Sequence, residues 1–376
     1  MKNIDRMKRG FVVQSLMKQS VPTFILFWAA FAFSADFNMD FNRRYQEGAA
    51  ENKFSARKYP EAREAFEKLA ATAKDPLEKN LWQARIAAAV GLQKDKLEEG
   101  LALAKAIADK PYSLYAQMEM MFAASDYKGI VSGFGAEDIA AWPPRRLAIV
   151  GGYNDSGYKD EDVRCMALYD RGYAYYKTGN GEAAEKDLEK AAEFVAKDSQ
   201  KVVILSALAA VEGQLLKNKE KAFALNIKIT TIRGGSKHDP AFMSSFLLAA
   251  AYLREQKRYD EALDVLNRMR DVRIIACPWQ QGLYNQQQYV AIGQTFAEAG
   301  RLDEAIDAYR QSVDDKIADN GISGEAYIAL CDILLKVGKT DDAIAAYNKI
   351  IASEKCRADE KEKAKKALEK LGKPAK

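Results

Sequence analysis

Two successive segments near the carboxyl end of the chain repeat one pattern of bulky and small residues among polar ones. The copies start at Tyr289 and Tyr327, 38 residues apart. In each copy, a bulky residue, a small one four positions later and a bulky one three positions further share one face of a helix, because this spacing follows the 3.6-residue period. A glycine then interrupts the pattern, and a second apolar stripe follows. Each copy therefore predicts a hairpin of two helices. The positions are Tyr289, Gly293, Phe296, Gly300, Ala305 and Tyr309, and then Tyr327, Cys331, Leu334, Gly338, Ala343 and Tyr347.

The same pattern occurs earlier in the chain. One good copy contains Leu168, Gly172, Tyr175, Gly179, Ala184 and Leu188, and another contains Phe246, Ala250, Leu253, Ala262 and Leu266, with Lys257 in place of the turn glycine. Weaker copies are visible around Tyr59–Phe66, Ala84–Ala104 and Ala210–Ala222. Small residues on facing helices let the two backbones approach closely. Since one hairpin cannot bury its apolar faces alone, the copies are expected to stack.

The spacing of these residues resembles that of the tetratricopeptide repeat (TPR) family. The resemblance implies an all-α fold, an α-α superhelical solenoid of TPR-like helical hairpins. The copies recur at roughly 38 to 43 residues, whereas the family repeats at about 34. Longer connections between hairpins explain the difference.

Glycine, proline and charge divide the chain into five predicted segments. Residues 126–161 are rich in glycine and proline, and they are expected to form an irregular packed joint or, alternatively, a ligand-binding insertion. The last helix pattern is rich in lysine and glutamate, as expected of a repeat that caps a solenoid. The segments are a signal peptide at 1–34, amino-terminal hairpins at 35–125, the joint at 126–161, a carboxyl-terminal array at 162–356, and a charged capping helix and tail at 357–376.

The first 34 residues have the layout of a secretory signal peptide. A basic start precedes the uncharged run Val21–Phe33, and small residues follow at Ser34 and Ala35. Thirteen helical residues span about 20 Å, which is short of the roughly 30 Å of a bilayer core. Cleavage is therefore preferred over an uncleaved anchor, and a periplasmic or secreted protein is expected. Met17 is an alternative start, because Met17-Lys18 begins a compact signal by itself.

Removal of this leader changes the charge of the chain. Lys plus Arg falls from 57 to 52 and Asp plus Glu from 53 to 52, so the net charge of +4 becomes 0. A neutral chain gives no reason to expect nucleic-acid binding.

The sequence offers little support for catalysis, and no catalytic residue, cofactor or metal is predicted. His238 is the only histidine, so a two-histidine zinc site cannot form, and it is expected to lie in a surface loop. The glycines near Gly133 and Gly151 lack the Lys-Ser/Thr of a phosphate-binding loop. Asn154, Ser156, Asp160 and Asp162 alternate like calcium ligands, but their spacing misses the EF-hand pattern. A solvated turn before a helix cap is the preferred interpretation.

Four cysteines, Cys165, Cys277, Cys331 and Cys356, permit disulfides in an exported protein. Cys331, however, occupies the small packing position of its repeat, where it is expected to act as a small apolar residue. The pairing state therefore stays open.

The resemblance implies a concave groove lined by the first helix of each hairpin, where family members bind segments of partner proteins. Three tyrosines at helical spacing suit such an interface, although they could equally pack against the preceding hairpin. The candidate residues carry mixed charge, so a neutral or mixed-charge partner segment is expected. They are Tyr169, Tyr173, Tyr176, Lys177, Leu247, Arg254, Gln287, Gln294, Glu298, Asp332 and Lys336.

These observations predict a non-catalytic scaffold of the bacterial cell envelope that binds protein or peptide partners, with no membrane span after cleavage. One alternative is a carbohydrate- or cell-wall-binding protein, which would need exposed aromatic rings on the concave face. The other is a hydrolase on a helical scaffold, which would need clustered acids with perturbed pKa values in a cleft. The repeat pattern leaves the identity of the partner and the oligomeric state open.

Overall fold

A computed structural model describes residues 42–147, 160–232, 240–270, 272, 278–313, 324–354 and 356–372. The predicted signal peptide, His238 and Cys277 lie outside these residues, as do Asn154 and Ser156 of the calcium-like sequence. The described chain forms two compact units, which divide between Ala108 and Asp109. No helix among the described residues is both long enough and apolar enough to cross a membrane.

Between residues 42 and 108, the part of the first unit that the structure describes, there are four helices. They are α1 (residues 42–55), α2 (Tyr59–Ala71), α3 (Pro76–Gly91) and α4 (Leu97–Lys105). The Asp75 side chain caps α3 by accepting a hydrogen bond from the Glu78 backbone N–H at 2.8 Å. Phe66 stacks on Trp82 at 5.9 Å between ring centroids, and both side chains are fully buried. These contacts fix α2 against α3 as a helical hairpin.

The second unit begins with the hairpin of α5 (Lys110–Ala123) and α6 (Tyr127–Phe134). A 3₁₀ turn at Ile139–Ala141 follows, and the short strands β1 (Arg146–Leu147) and β2 (Glu161–Asp162) then pair antiparallel, with Arg146 opposite Asp162. The buried Glu161 carboxylate accepts backbone hydrogen bonds from Ala196 and Lys197 at 3.0 and 2.8 Å. The described parts of the glycine- and proline-rich segment, residues 126–147 and 160–161, thus pack through a helix, a two-stranded ladder and the buried Glu161.

The rest of the second unit is a run of helical hairpins. Each helix packs on the next one in the chain, so the hairpins stack in sequence order as a solenoid requires. The helices are α7 (Val163–Thr178), α8 (Gly181–Phe194), α9 (Asp198–Ala210) with a π-helical turn at Val211–Leu215, α10 (Lys219–Thr230), α11 (Pro240–Glu255), α12 (Tyr259–Arg270), α13 (Pro278–Glu298), α14 (Leu302–Ser312), α15 (Gly324–Lys336), α16 (Thr340–Ala352) and α17 (Ala358–Lys370).

The small residues of the repeat pattern lie where paired helices approach each other. A Cβ atom on Gly293 would lie 2.9 Å from the Tyr309 ring, and one on Gly172 would lie 2.9 Å from Leu188 Cγ. Both partners belong to the second helix of the same hairpin, so the predicted pairing of small and bulky positions is confirmed here.

The turn between the two helices of a hairpin uses the left-handed backbone region. Gly179, Gly300 and Gly338 have φ values of 86°, 78° and 77°. Lys257 has φ 58° at the equivalent position. The turn geometry is therefore kept even where the repeat lacks its glycine, at a steric cost that glycine does not pay.

The carboxyl-terminal helix caps the array, as predicted. Ala364 and Leu368 on α17 are fully buried against the last hairpin, and Ala367 and Leu371 are half-buried beside them. The lysines at 363, 365 and 366 on the other face are exposed.

Candidate partner-binding face

Contacts between consecutive first helices connect several candidate residues. The Tyr176 hydroxyl on α7 donates a hydrogen bond to Gln214 Oε1, just after α9, at 2.6 Å. Arg254 Nε on α11 lies 3.5 Å from Glu298 Oε2 on α13. Helices α9 and α11, and α11 and α13, also pack directly on each other. The first helices thus place equivalent faces next to one another along this part of the unit.

The three predicted tyrosines belong to a larger aromatic cluster. Tyr173 on α7 lies 5.4 Å from Phe122 and 5.9 Å from Tyr127, between ring centroids. Tyr169 and Tyr176 flank Tyr173 at 6.1 and 5.7 Å. All five rings are half-buried. The tyrosines therefore pack against the preceding hairpin, as one interpretation of the sequence predicted, and keep part of their surface open to solvent; their use as an interface stays a prediction.

Lys177 follows this cluster at the end of α7. Its ammonium group lies 5.4 Å from the centroid of Tyr173 and 5.9 Å from that of Tyr176, within the range of a cation–π interaction. Lys177 is exposed. It lines a cleft of about 610 Å³ together with residues at the start of α6, which include Tyr127 and Lys128.

The candidate residues on the later helices are mostly exposed. Gln287, Gln294 and Glu298 on α13 and Asp332 and Lys336 on α15 are exposed, whereas Leu247 and Arg254 on α11 are half-buried. Leu248, beside Leu247, is 57% exposed and was not among the predicted residues.

Asp332 has a tyrosine partner on the second helix of its hairpin. Partial desolvation raises the pKa of Asp332, and a hydrogen bond with the Tyr347 hydroxyl opposes that rise. Asp332 is therefore tied to α16 while its side chain remains open to solvent.

Buried charged residues lie next to the tyrosines on α7. Arg171 on α7 forms a bidentate ion pair with Asp187 on α8, at 2.6 and 2.8 Å, and donates to the carbonyls of Phe134 and Glu137 at 2.9 and 2.6 Å. The neighbouring Asp170 is also buried, and burial together with the charge of Glu119 raises the pKa of its carboxyl well above the usual value. Both groups lie on the helix that carries the tyrosines.

A second charged cluster connects three elements: Lys221 on α10, Glu185 and Glu189 on α8, and Glu212 in the π-helical turn. Lys221 contacts Glu185 and pairs with Glu189 at 2.9 Å and Glu212 at 2.6 Å. Burial lowers the pKa of Lys221 and the three glutamates raise it, and the net direction is upward. Burial raises the pKa of Glu212, whereas the hydrogen bond with Lys221 lowers that of Glu185. This arrangement holds three glutamates around one half-buried lysine of α10.

The cysteines behave as packing residues where the structure describes them. Cys165, Cys331 and Cys356 are buried and free. The Cys331 thiol contacts the carbonyl of Ala343 at 3.6 Å, and burial raises its pKa to about 12. Among the described residues, no group of three His, Cys, Asp or Glu side chains is placed to hold a metal ion.

Sequence reasoning missed Phe122, Tyr127 and Gln214, which contact the predicted tyrosines. Phe122 and Tyr127 lie beside the segment where the repeat pattern fails, and Gln214 lies in the π-helical turn, where the helical period shifts. Only the three-dimensional packing brings them to the tyrosines.

Comparison with known proteins agrees with the repeat pattern. A tetratricopeptide-repeat family model matches residues 167–194 and 289–314, which lie in the α7–α8 and α13–α14 hairpins. The sequence matches no curated protein significantly.

Solved structures match the chain at low sequence identity. The apo form of RapI is 11% identical with a TM-score of 0.51, over 88% of this chain and 92% of that one. MamA from Desulfovibrio magneticus is 16% identical with a TM-score of 0.36, over 49% and 92%. Yeast Tom70 is 14% identical with a TM-score of 0.40, over 84% and 58%.

The fold is therefore an all-α solenoid of helical hairpins, a class whose stacked repeats present extended surfaces for binding other proteins. Two of its hairpins, at residues 167–194 and 289–314, match the tetratricopeptide repeat.

Proposed function

We propose that this protein is a non-catalytic scaffold of the bacterial cell envelope, which binds segments of partner proteins along the first-helix face of its carboxyl-terminal repeats. The contacts from Tyr176 to Gln214 and from Arg254 to Glu298 carry the proposal, because they join equivalent faces of neighbouring repeats. The exposed residues on these helices include amides, acids and a lysine. Such a surface suits a neutral or mixed-charge segment.

Export rests on the leader sequence. The uncharged run Val21–Phe33 is too short for a bilayer span and is followed by small residues. Intact-mass measurement of protein recovered from the periplasm or the medium should give an amino terminus near Ser34 or Ala35. Recovery of the unprocessed chain from the cytoplasm alone would overturn export and leave the binding proposal to be tested separately.

The binding proposal can be tested by photo-crosslinking with a matched control. Gln294 and Gln311 are exposed on the first and second helices of one hairpin. A photoreactive amino acid at position 294 should crosslink a defined partner protein in cells, whereas the same group at position 311 should not. Equal crosslinking at both positions, or no protein adduct at 294, would contradict binding on this face.

A further inference from the structure

The aromatic cluster on α7 ends beside a cleft that carries more positive than negative charge. The cleft lies between the start of α6 and the end of α7, and its charged lining residues are Asp126, Lys128 and Lys177. Asp126 is already engaged as the cap of α6, since its Oδ1 accepts a hydrogen bond from the Gly129 N–H at 2.9 Å. Lys128 and Lys177 are exposed, and neither forms an ion pair with the residues that the structure describes. The cleft is thus suited to an acidic group.

The tyrosines next to this cleft suit an extended chain. Tyr169, Tyr173 and Tyr176 follow one face of α7 over seven residues, or about 10 Å. One turn of a polyproline II helix covers about 9 Å, and its carbonyl groups have no internal hydrogen bonds. The half-buried tyrosine rings offer apolar surface to proline rings, and the Tyr173 hydroxyl offers a donor to those carbonyls. Lys177 contacts two of the rings and also lines the cleft, so the two features are continuous.

We propose that the tyrosines and the lysine-bearing cleft form one docking site for an extended, proline-containing acidic segment of a partner protein. Prolines pack on Tyr169, Tyr173 and Tyr176, and an acidic side chain at one end lies between Lys128 and Lys177. This inference rests on the proposed function and specifies the partner chemistry at one end of the face. Charge complementarity selects an acidic segment, and the spacing of the tyrosines selects an extended one.

Defined peptides test the proposal on the full chain. The probes are capped octapeptides of alternating proline and glutamate, of proline and glutamine, and of glycine and glutamate. The proline–glutamate peptide should bind at least tenfold more tightly than either of the others in a calorimetric titration at fixed salt. Equal affinity for the glutamate and glutamine peptides, or for the proline and glycine peptides, would overturn it.

Lysine variants locate the contact. The double change Lys128→Gln and Lys177→Gln should remove the preference for glutamate. Changing Lys186 and Lys349, which are exposed on α8 and α16 and form no ion pair with described residues, to glutamine should preserve it. Both variants alter exposed side chains, and unchanged helical circular dichroism would verify their folding. A preference for glutamate that survives in the cleft variant would overturn the proposal.

Three further outcomes distinguish this inference from the alternatives and from the proposed function. If an oligothymidylate of eight nucleotides displaced the proline–glutamate peptide at a lower concentration than the unlabelled peptide itself does, the site would be one for single-stranded nucleic acid instead. If a partner crosslinked at position 294 bound the cleft variant with unchanged affinity, the acidic docking site would be wrong while the proposed function stood. If the chain without lysine substitutions gave no protein crosslink at position 294, the proposed function itself would be wrong.

Discussion

At the scale of single residues, the repeat pattern predicts packing positions more reliably than it predicts turns. Gly293 faces the Tyr309 ring and Gly172 faces Leu188, as the pairing of small and bulky residues requires. Lys257 breaks the pattern in sequence and follows it in structure, with φ 58°. The neighbouring helices determine this backbone conformation, which is strained for a lysine.

We therefore expect Lys257→Gly to stabilise the protein slightly, by up to about 1 kcal/mol, because glycine relieves the strain but loses more entropy on folding. Gly300→Ala, at the equivalent turn with φ 78°, should destabilise it by about 1 kcal/mol. Chemical denaturation of both variants measures the two effects. Destabilisation by Lys257→Gly would show that the lysine side chain makes a compensating contact.

Asp170 gives a pH-dependent prediction. Its pKa is raised in the folded state, first by burial and then by Glu119, so this carboxyl costs stability at pH values above its unfolded pKa. That cost should diminish as pH falls through the raised folded value toward the unfolded value near 3.9. Asp170→Asn should accordingly raise the melting temperature at pH 7.

The advantage of Asp170→Asn should shrink in acid, where the native carboxyl is protonated. Asp264→Asn, at an exposed position on α12, provides the control and should show little of this dependence. A constant difference between Asp170→Asn and the native protein across pH 4 to 7 would contradict the assignment of a raised pKa.

At the scale of helices, the interactions that fix one hairpin against the next include buried charge that the repeat pattern does not encode. Arg171 on α7 pairs with Asp187 on α8 and donates to carbonyls at the end of α6 and just after it. Its side chain and that of Asp187 are 8% and 7% exposed. In the sequence, Arg171 and Asp187 look like ordinary charged positions of amphipathic helices. Their pairing requires the tertiary fold, because only the packed hairpin removes them from water.

Removing Arg171 should therefore be costly. Arg171→Met leaves a buried carboxylate without its partner, and we expect a loss of about 3 to 5 kcal/mol in unfolding free energy. Arg268→Met, which breaks an exposed pair with Asp264 at 3.5 Å, should cost less than about 1 kcal/mol. Adding Asp187→Leu to Arg171→Met should recover part of the loss, since no charge then remains buried. Similar costs for the two arginine variants would contradict this account.

At the scale of the whole chain, the sequence predicts the repeated hairpins and the capping helix, because stacking demands small and bulky residues at fixed spacing. It does not predict how the glycine- and proline-rich segment folds. In that segment, the Glu161 carboxylate accepts hydrogen bonds from the Ala196 and Lys197 backbone, and Arg146 pairs with Asp162 in the strand ladder; the repeat pattern encodes neither contact. The aromatic cluster is likewise predicted only in part, since Phe122 and Tyr127 reach the tyrosines through packing between hairpins.

The central claim is that the first-helix face binds a partner. The most direct measurement is the affinity of the partner crosslinked at position 294 for two matched variants, Gln294→Arg and Gln311→Arg. These place the same bulky cation on the first and second helices of one hairpin. We predict that Gln294→Arg weakens binding at least tenfold and that Gln311→Arg leaves it within twofold. Equal effects of the two substitutions, or a loss confined to Gln311→Arg, would contradict the claim.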